Sequence, residues 1–199
     1  MALKKIAVFV SGGGSNLQTL IDQVHGKNGN IELVLSNNLK AYGLKRAEEH
    51  NIAAYHINSN EEDKIIKLLR DKKIDFIVLA GYLKKISSKL VHSYKGKIIN
   101  IHPSLIPSFC GTSYYGLKVH EKAIEYGVKV SGATVHFVDE GMDTGPIIMQ
   151  ETVAVYPDDS PEDLQKRVLE VEHRILSESV KKMCQDKLIL NGRIVTVLE

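Results

Sequence analysis

The sequence predicts an α/β domain: a mostly parallel sheet with helices on both faces, turning antiparallel toward its C-terminal part. Three observations carry this. In the first half of the chain, short β-branched runs alternate with amphipathic, charge-rich segments. Those runs are continuously apolar rather than alternating, which marks strands covered on both faces. Past residue 110, two long β runs follow one another with no helix between them, the sign of an antiparallel pair.

The elements follow in order. Strands are expected over 5–10, 31–35, 53–57, 76–80 and 97–101, and helices over 15–25, 42–50, 61–72 and, briefly, 87–93. A helix is expected over 115–126, then β runs over 128–138 and 146–155 around the loop DEGMDTG. Asp159, Ser160 and Pro161, with acidic residues behind them, start a last helix running from about 160 to about 185. The tail, 187–198, reads as a β-hairpin around Asn191-Gly192, a type I′ signal. No repeat, low-complexity segment or linker interrupts the chain, so 1–199 reads as one domain.

Composition narrows the function classes. Of 199 residues, 43% are hydrophobic and 25% charged, and the net charge is +2 from 26 basic and 24 acidic side chains with no basic block. Nothing in that balance argues for nucleic acid or an anionic membrane surface. Cys110 and Cys184 stand far apart, which suits a reducing cytoplasm better than a disulfide framework. The apolar run 6–10 is too short for a secretory h-region, and no run approaches the ~20 apolar residues of a membrane helix.

Three stretches carry chemistry. In VFVSGGGSNLQTLI a strand enters three glycines, then Ser15 and Asn16, then a helical pattern. Glycines free the backbone N–H groups and a helix N-terminus adds positive potential, so phosphate is the natural guest. Leu17 breaks the dinucleotide fingerprint and no Gly-Lys-Ser/Thr follows, which leaves a monophosphate pocket or a plain capped turn. In KIINIHPSLIPSF, Asn100 and His102 leave one strand end on the same face, and Pro103 fixes the departing chain. An amide offers N–H donors to an oxyanion and an imidazole can donate or shuttle a proton, although such a pair can equally be structural. Ser104 lacks a nucleophile-elbow context, and Cys110 reads as a nucleophilic thiol or simply a small turn residue. In VDEGMDTGPII, Asp139, Glu140 and Asp143 stand in a glycine-punctuated loop. Asp143 is restrained by its neighbours and could aim a carboxylate at His102. Calcium-loop and zinc spacings are missing, so no metal is expected. His136 could approach the site, whereas His25, His50, His56, His92 and His120 read as helix-end or surface residues.

Together SGGGSN, LAGYLKKI, NIHPSLIPSF and GATVHFVDEGMDTGPII, in this order and spacing, closely resemble the phosphoribosylglycinamide formyltransferase family of purine biosynthesis, from about residue 5 to about 182. The resemblance implies the formyltransferase fold, with a Rossmann-like sheet. It implies direct transfer of the formyl group of 10-formyltetrahydrofolate to the amine of glycinamide ribonucleotide, through a tetrahedral intermediate, on the way to IMP. Asn100, His102 and Asp143 would be the catalytic trio. Gly13, Gly14, Ser15 and Asn16 would hold the ribonucleotide phosphate, and Glu172 its amine or hydroxyls. Leu83, Lys84, Lys85 and Ile86 match the folate segment, with Asn100, Val138, Asp139, Glu140 and Gly141 lining the same pocket. Two positions depart from the family: Lys85 stands where an apolar residue is usual, and Asn58 in NSNEED stands near where an arginine often meets the folate tail. Thr112 and Ser113 receive no role. The implied partners are small molecules alone, with no metal, nucleic acid or membrane, for a cytoplasmic monomer or homodimer. Hydrolysis of the same folate, formylation of a tRNA and a non-enzymatic phosphometabolite binder are the competing readings. The first two usually accompany an extra N-terminal or C-terminal domain that this chain is expected to lack.

Overall fold

The computed structural model describes residues 2–58 and 61–199. The chain runs β1 (Lys4–Val10), α1 (Ser15–Gln23), β2 (Gly29–Ser36), α2 (Tyr42–Glu49), β3 (Ala53–His56), α3 (Glu62–Asp71), β4 (Phe76–Leu79), α4 (Ser88–Ser93) and β5 (Ile98–His102). It continues through α5 (Leu117–Tyr126), β6 (Val130–Phe137), β7 (Ile147–Ala154), α6 (Pro161–Cys184), β8 (Leu188–Asn191) and β9 (Ile194–Val197). Seven strands form one sheet in the order β3-β2-β1-β4-β5-β6-β7. β1 to β5 are parallel, whereas β6 lies antiparallel to β5 and β7 antiparallel to β6.

Strand periodicity divides the core cleanly. Ile6, Val8 and Val10 of β1 and Phe76 and Val78 of β4 join one cluster, with Leu17 and Leu20 of α1, Leu44 of α2 and Leu164, Val168 and Ile175 of α6. Ala7, Phe9, Ile77 and Leu79 face the opposite cluster, with Ile65, Ile66 and Leu69 of α3 and Leu90 and Val91 of α4. Both faces of these strands are buried, which is why they read as unbroken apolar runs. The chain leaves β1 on one side and returns on the other through β4, so the carboxyl ends of β1 and β4 open a crevice at the point where strand order reverses.

The last helix begins as expected. Ser160 Oγ accepts from the Asp163 N–H (3.2 Å), Asp163 Oδ2 accepts from the Ser160 N–H (3.0 Å), and Pro161 opens the first turn. The tail is a hairpin, but its turn differs from the one expected. Asn191 pairs with Ile194, so the loop is Gly192-Arg193, and of those two only Gly192 has positive φ (59°). A type I′ turn needs positive φ at both positions, whereas a type II′ turn places Gly first. Among the described residues, no helix is long and apolar enough to cross a membrane.

Candidate active site

Asn100 and His102 continue the face of Ile98 at the carboxyl end of β5. Register brings them their partners: Asn100 lies directly opposite His136 on β6, and His102 opposite Thr134. Thr134 is fully buried and pins the chain that leaves His102. Its hydroxyl donates to Ser104 O (2.6 Å) and accepts from the Ile106 N–H (3.1 Å) and from Gln150 Nε2 (2.9 Å). The direction of His102 is therefore set by a bonded loop as well as by Pro103.

His136 is 2% exposed, and burial lowers its pKa, keeping it neutral. Its Nδ1 sits 2.8 Å from Phe137 O. A carbonyl only accepts, so Nδ1 carries the proton and Nε2 offers a lone pair. Asn100 Nδ2 donates to that lone pair at 3.1 Å. The amide orientation is thus fixed, and the second N–H of Asn100 has only a long contact, 3.5 Å to Asp143 Oδ1. On His102 the same logic holds at the other nitrogen: Nε2 donates to Phe109 O at 2.9 Å, leaving Nδ1 3.6 Å from Asp143 Oδ2.

Asp143 takes its place through strain and bracing. Its φ is 57°, a left-handed conformation that Asp tolerates better than most residues, and its Oδ2 accepts from the Gly111 N–H at 2.9 Å. Asp139 ties the loop together by accepting from the Gly141 N–H (3.0 Å) and Thr144 Oγ1 (2.6 Å). Gly145 is required there, because a Cβ would lie 1.8 Å from Phe137 O. From outside, Arg193 in the hairpin turn donates to Thr144 O at 3.0 Å.

The two residues weighed as nucleophiles are otherwise engaged. Ser104 is 1% exposed and donates to Ser108 O at 2.6 Å. Cys110 donates to Pro107 O (3.3 Å), and burial together with the nearby Asp143 raises its pKa, keeping it a thiol. His120 differs from its surface expectation. It is 1% exposed on α5, and burial plus the proximity of His102 lower its pKa to about 4. Its apolar neighbours on α5, Val119 and Ala123, turn that face inward.

The other end of the site is the glycine loop. Gly14 takes φ 71° and caps α1, which has neither a side-chain cap nor an acidic residue in its first turn. Its first N–H groups and positive end are therefore uncompensated, unlike those of the boxed α6. A Cβ on Gly14 would stand 2.8 Å from the Cα of Gly43, where α2 closes on the loop. Gly14→Ala should lose about 1–2 kcal/mol in chemical denaturation from the left-handed backbone alone. Gly12→Ala, which meets nothing within 4 Å, is the control.

Asn16 Nδ2 donates to Glu172 Oε2 at 2.8 Å, joining α1 to α6 in the cleft wall. Burial pushes the Glu172 pKa up to about 7 from 4.5, against the opposing pull of Asn16. The folded state thus holds this proton more tightly than the unfolded chain. Stability from this group is full below about pH 4.5 and falls as pH rises through about 7. Glu172→Gln should flatten that slope and stabilise the fold at pH 8 by on the order of 3 kcal/mol, read from denaturation at several pH values.

Both ends open into one cleft of about 670 Å³, a size suited to small-molecule ligands. Its lining includes Gly13, Gly14, Ser15, Asn16 and Glu172, the trio Asn100, His102 and Asp143, and the stretch Leu83, Lys84, Lys85 and Ile86 with Val138, Asp139 and Gly141. Within that stretch Ile86 is buried at 7% exposure, and both lysines point to solvent at the cleft edge. Ser11 anchors it, accepting from the Leu83 N–H (2.8 Å) while its own hydroxyl donates to Asn37 Oδ1 (2.6 Å). Two expected residues fall outside the lining. They are Asn58 and Glu140, whose carboxylate lies 3.2 Å from His92 of α4. His120, Arg46 and Ser11 are among the residues that sequence reasoning left without a role, and His136 was expected only to approach the site. All but Ser11 line the cleft, and they arrive by strand register or helix packing rather than by motif.

An amide and an imidazole beside a restrained carboxylate share one cleft with an anion-ready helix end, at the carboxyl ends of an α/β sheet. The formyl transferase family matches residues 4–180, and the chain belongs to that family. The chain is 39% identical over 201 residues to the phosphoribosylglycinamide formyltransferase of Haemophilus influenzae, covering 96% of this chain and 92% of that one. The chloroplastic phosphoribosylglycinamide formyltransferase of Arabidopsis thaliana is 38% identical, with 93% of this chain and 67% of the relative covered. Among solved structures, glycinamide ribonucleotide transformylase 1 from Symbiobacterium toebii superposes with a TM-score of 0.92 at 36% identity, over 99% of this chain and 95% of that one. A formyltetrahydrofolate deformylase from Pseudomonas syringae also shares the fold (TM-score 0.88, 28% identity), over 99% of this chain and 66% of that one.

Proposed function

We propose that this chain transfers the formyl group of 10-formyltetrahydrofolate to the amine of glycinamide ribonucleotide, as a phosphoribosylglycinamide formyltransferase of purine biosynthesis. The observation that carries the reading is the shared cleft. An uncapped helix end suited to a phosphate and the Asn100, His102 and Asp143 cluster open into the same space. The ribonucleotide would lie along Gly13 to Asn16 and Glu172, and the pterin along Leu83 to Ile86, Val138, Asp139 and Gly141. The segment at Leu83 would hold the pterin by backbone and by Ile86, so the lysine at 85 is no obstacle.

The amine attacks the formyl carbon. The spare N–H of Asn100 and the Nδ1–H of protonated His102 stabilise the oxyanion that forms. Asp143 balances the imidazolium and relays the proton that the attacking nitrogen loses and the folate nitrogen gains. No covalent enzyme intermediate is required, in keeping with the engaged Ser104 and Cys110. Two unpaired thiols suit the cytoplasm as the compartment.

The test is to incubate the protein with 10-formyltetrahydrofolate, with and without glycinamide ribonucleotide. Folate product should form only with the amine present. Product at the same rate without it would make the chain a hydrolase, the reading that its likeness to the deformylase keeps in view.

A further inference from the structure

We propose that Ser11 is a positioning residue for the formyl donor: from behind the cleft wall, its hydroxyl sets the stretch from Leu83 to Ile86. The inference rests on the functional reading above, which lays the pterin along that stretch. The stretch has little of its own to hold it, since it lies between β4 and α4, outside any regular element. Among the described residues, no main-chain group from Tyr82 to Ile86 bonds to another main-chain group. Only the Leu83 N–H has a protein partner, and that partner is Ser11 Oγ at 2.8 Å. Side chains fix the two ends: the Tyr82 ring meets Phe9 edge-on at 5.4 Å between centroids, and Ile86 is buried in the cluster that holds Leu90. The main-chain groups of Lys84 and Lys85 between them are left to a ligand.

Ser11 is itself well fixed. It is 7% exposed, stands just past the carboxyl end of β1 and does not line the cleft. Its hydroxyl donates to Asn37 Oδ1 at 2.6 Å, which commits the proton and leaves a lone pair for Leu83. Asn37 follows β2, so one side chain joins the loops after β1, β2 and β4. The backbone of Ser11 makes separate ties: its N–H donates to Gly81 O (3.1 Å), and its carbonyl accepts from Asn38 Nδ2 (3.1 Å). The glycine loop has its own braces, with the Gly43 N–H donating to Gly12 O (3.1 Å) and Arg46 Nε to Gly13 O (2.8 Å). None of these bonds needs the Ser11 hydroxyl. Its removal therefore frees Leu83 and spares the glycine loop. Once freed, the stretch must be ordered by the folate, and that ordering is subtracted from binding. The ribonucleotide side has nothing comparable to lose.

The experiment compares Ser11→Ala, Asn37→Ala and the double variant with the parent. It measures KM for each substrate and, by anaerobic calorimetry without ribonucleotide, the binding of tetrahydrofolate. Ser11→Ala should raise KM for 10-formyltetrahydrofolate and weaken tetrahydrofolate binding, each by roughly threefold to tenfold, the worth of one neutral hydrogen bond. KM for the ribonucleotide should stay within about twofold of the parent. Asn37→Ala should give a smaller loss on the folate side alone, and it keeps the test open if Ser11→Ala does not fold. The double variant should bind tetrahydrofolate no worse than Ser11→Ala, because Asn37 acts through the hydroxyl. Equal losses on both substrates would mean that Ser11 only braces the fold, and so overturn the proposal. Unchanged tetrahydrofolate binding in folded Ser11→Ala protein, or single losses that multiply in the double variant, would overturn it as well. If the parent formylates no ribonucleotide while tetrahydrofolate still binds in a Ser11-dependent way, the functional reading fails and the role of Ser11 stands.

Discussion

Asp143→Asn should fold like the parent and lose formyl transfer by on the order of 10²–10³ in kcat, with little change in either KM. Asparagine is the substitution that separates charge from shape. It tolerates the left-handed φ of 57° at this position, and its side-chain oxygen can still accept from the Gly111 N–H. What it removes is the carboxylate facing His102 Nδ1 at 3.6 Å. Without that charge the imidazolium loses its counter-charge and the proton loses its relay. Activity within about threefold of the parent would contradict the role assigned to Asp143. A lowered melting temperature with lost activity would instead mark the loop as misfolded, which circular dichroism and thermal denaturation resolve.

Asn100→Ala should have a comparable effect, on the order of 10²–10³ in kcat, because it deletes an oxyanion donor. It also strips His136 Nε2 of its 3.1 Å donor inside a buried strand pair. A stability loss of about 1–3 kcal/mol should therefore accompany the kinetic one. Because Asn100 and Asp143 act on the same charge, combining Asn100→Ala with Asp143→Asn should cost less than the product of the single losses. Strict multiplicativity would mean that the two residues act independently, against the cluster described above.

Much of this was legible in the sequence, and for identifiable reasons. The parallel half is written in periodicity: β1 from Ile6 onward and all of β4 are apolar because α1, α2 and α6 cover one face and α3 and α4 the other. The glycine loop, Asn100, His102 and Asp143 are legible because each sits at a punctuated strand or loop end. Cross-strand register is not written locally. Nothing in the order of residues says that His136 rather than a neighbour meets Asn100. Helix packing is equally silent: Arg46 lies on an ordinary amphipathic helix and reaches the site only because α2 closes on Gly14. A carboxylate in an exposed loop takes the partner the fold supplies, and Glu140 faces His92. The hairpin turn slipped by one residue because Asn191 pairs in β8 instead of turning.

The most direct test of the central claim is a single turnover with 10-formyltetrahydrofolate labelled in the formyl carbon, in the presence of excess glycinamide ribonucleotide. The label should pass to the ribonucleotide in amounts equal to the folate product, with none in formate and none bound to protein. Label recovered as formate, or held covalently on the enzyme, would contradict direct transfer to the amine.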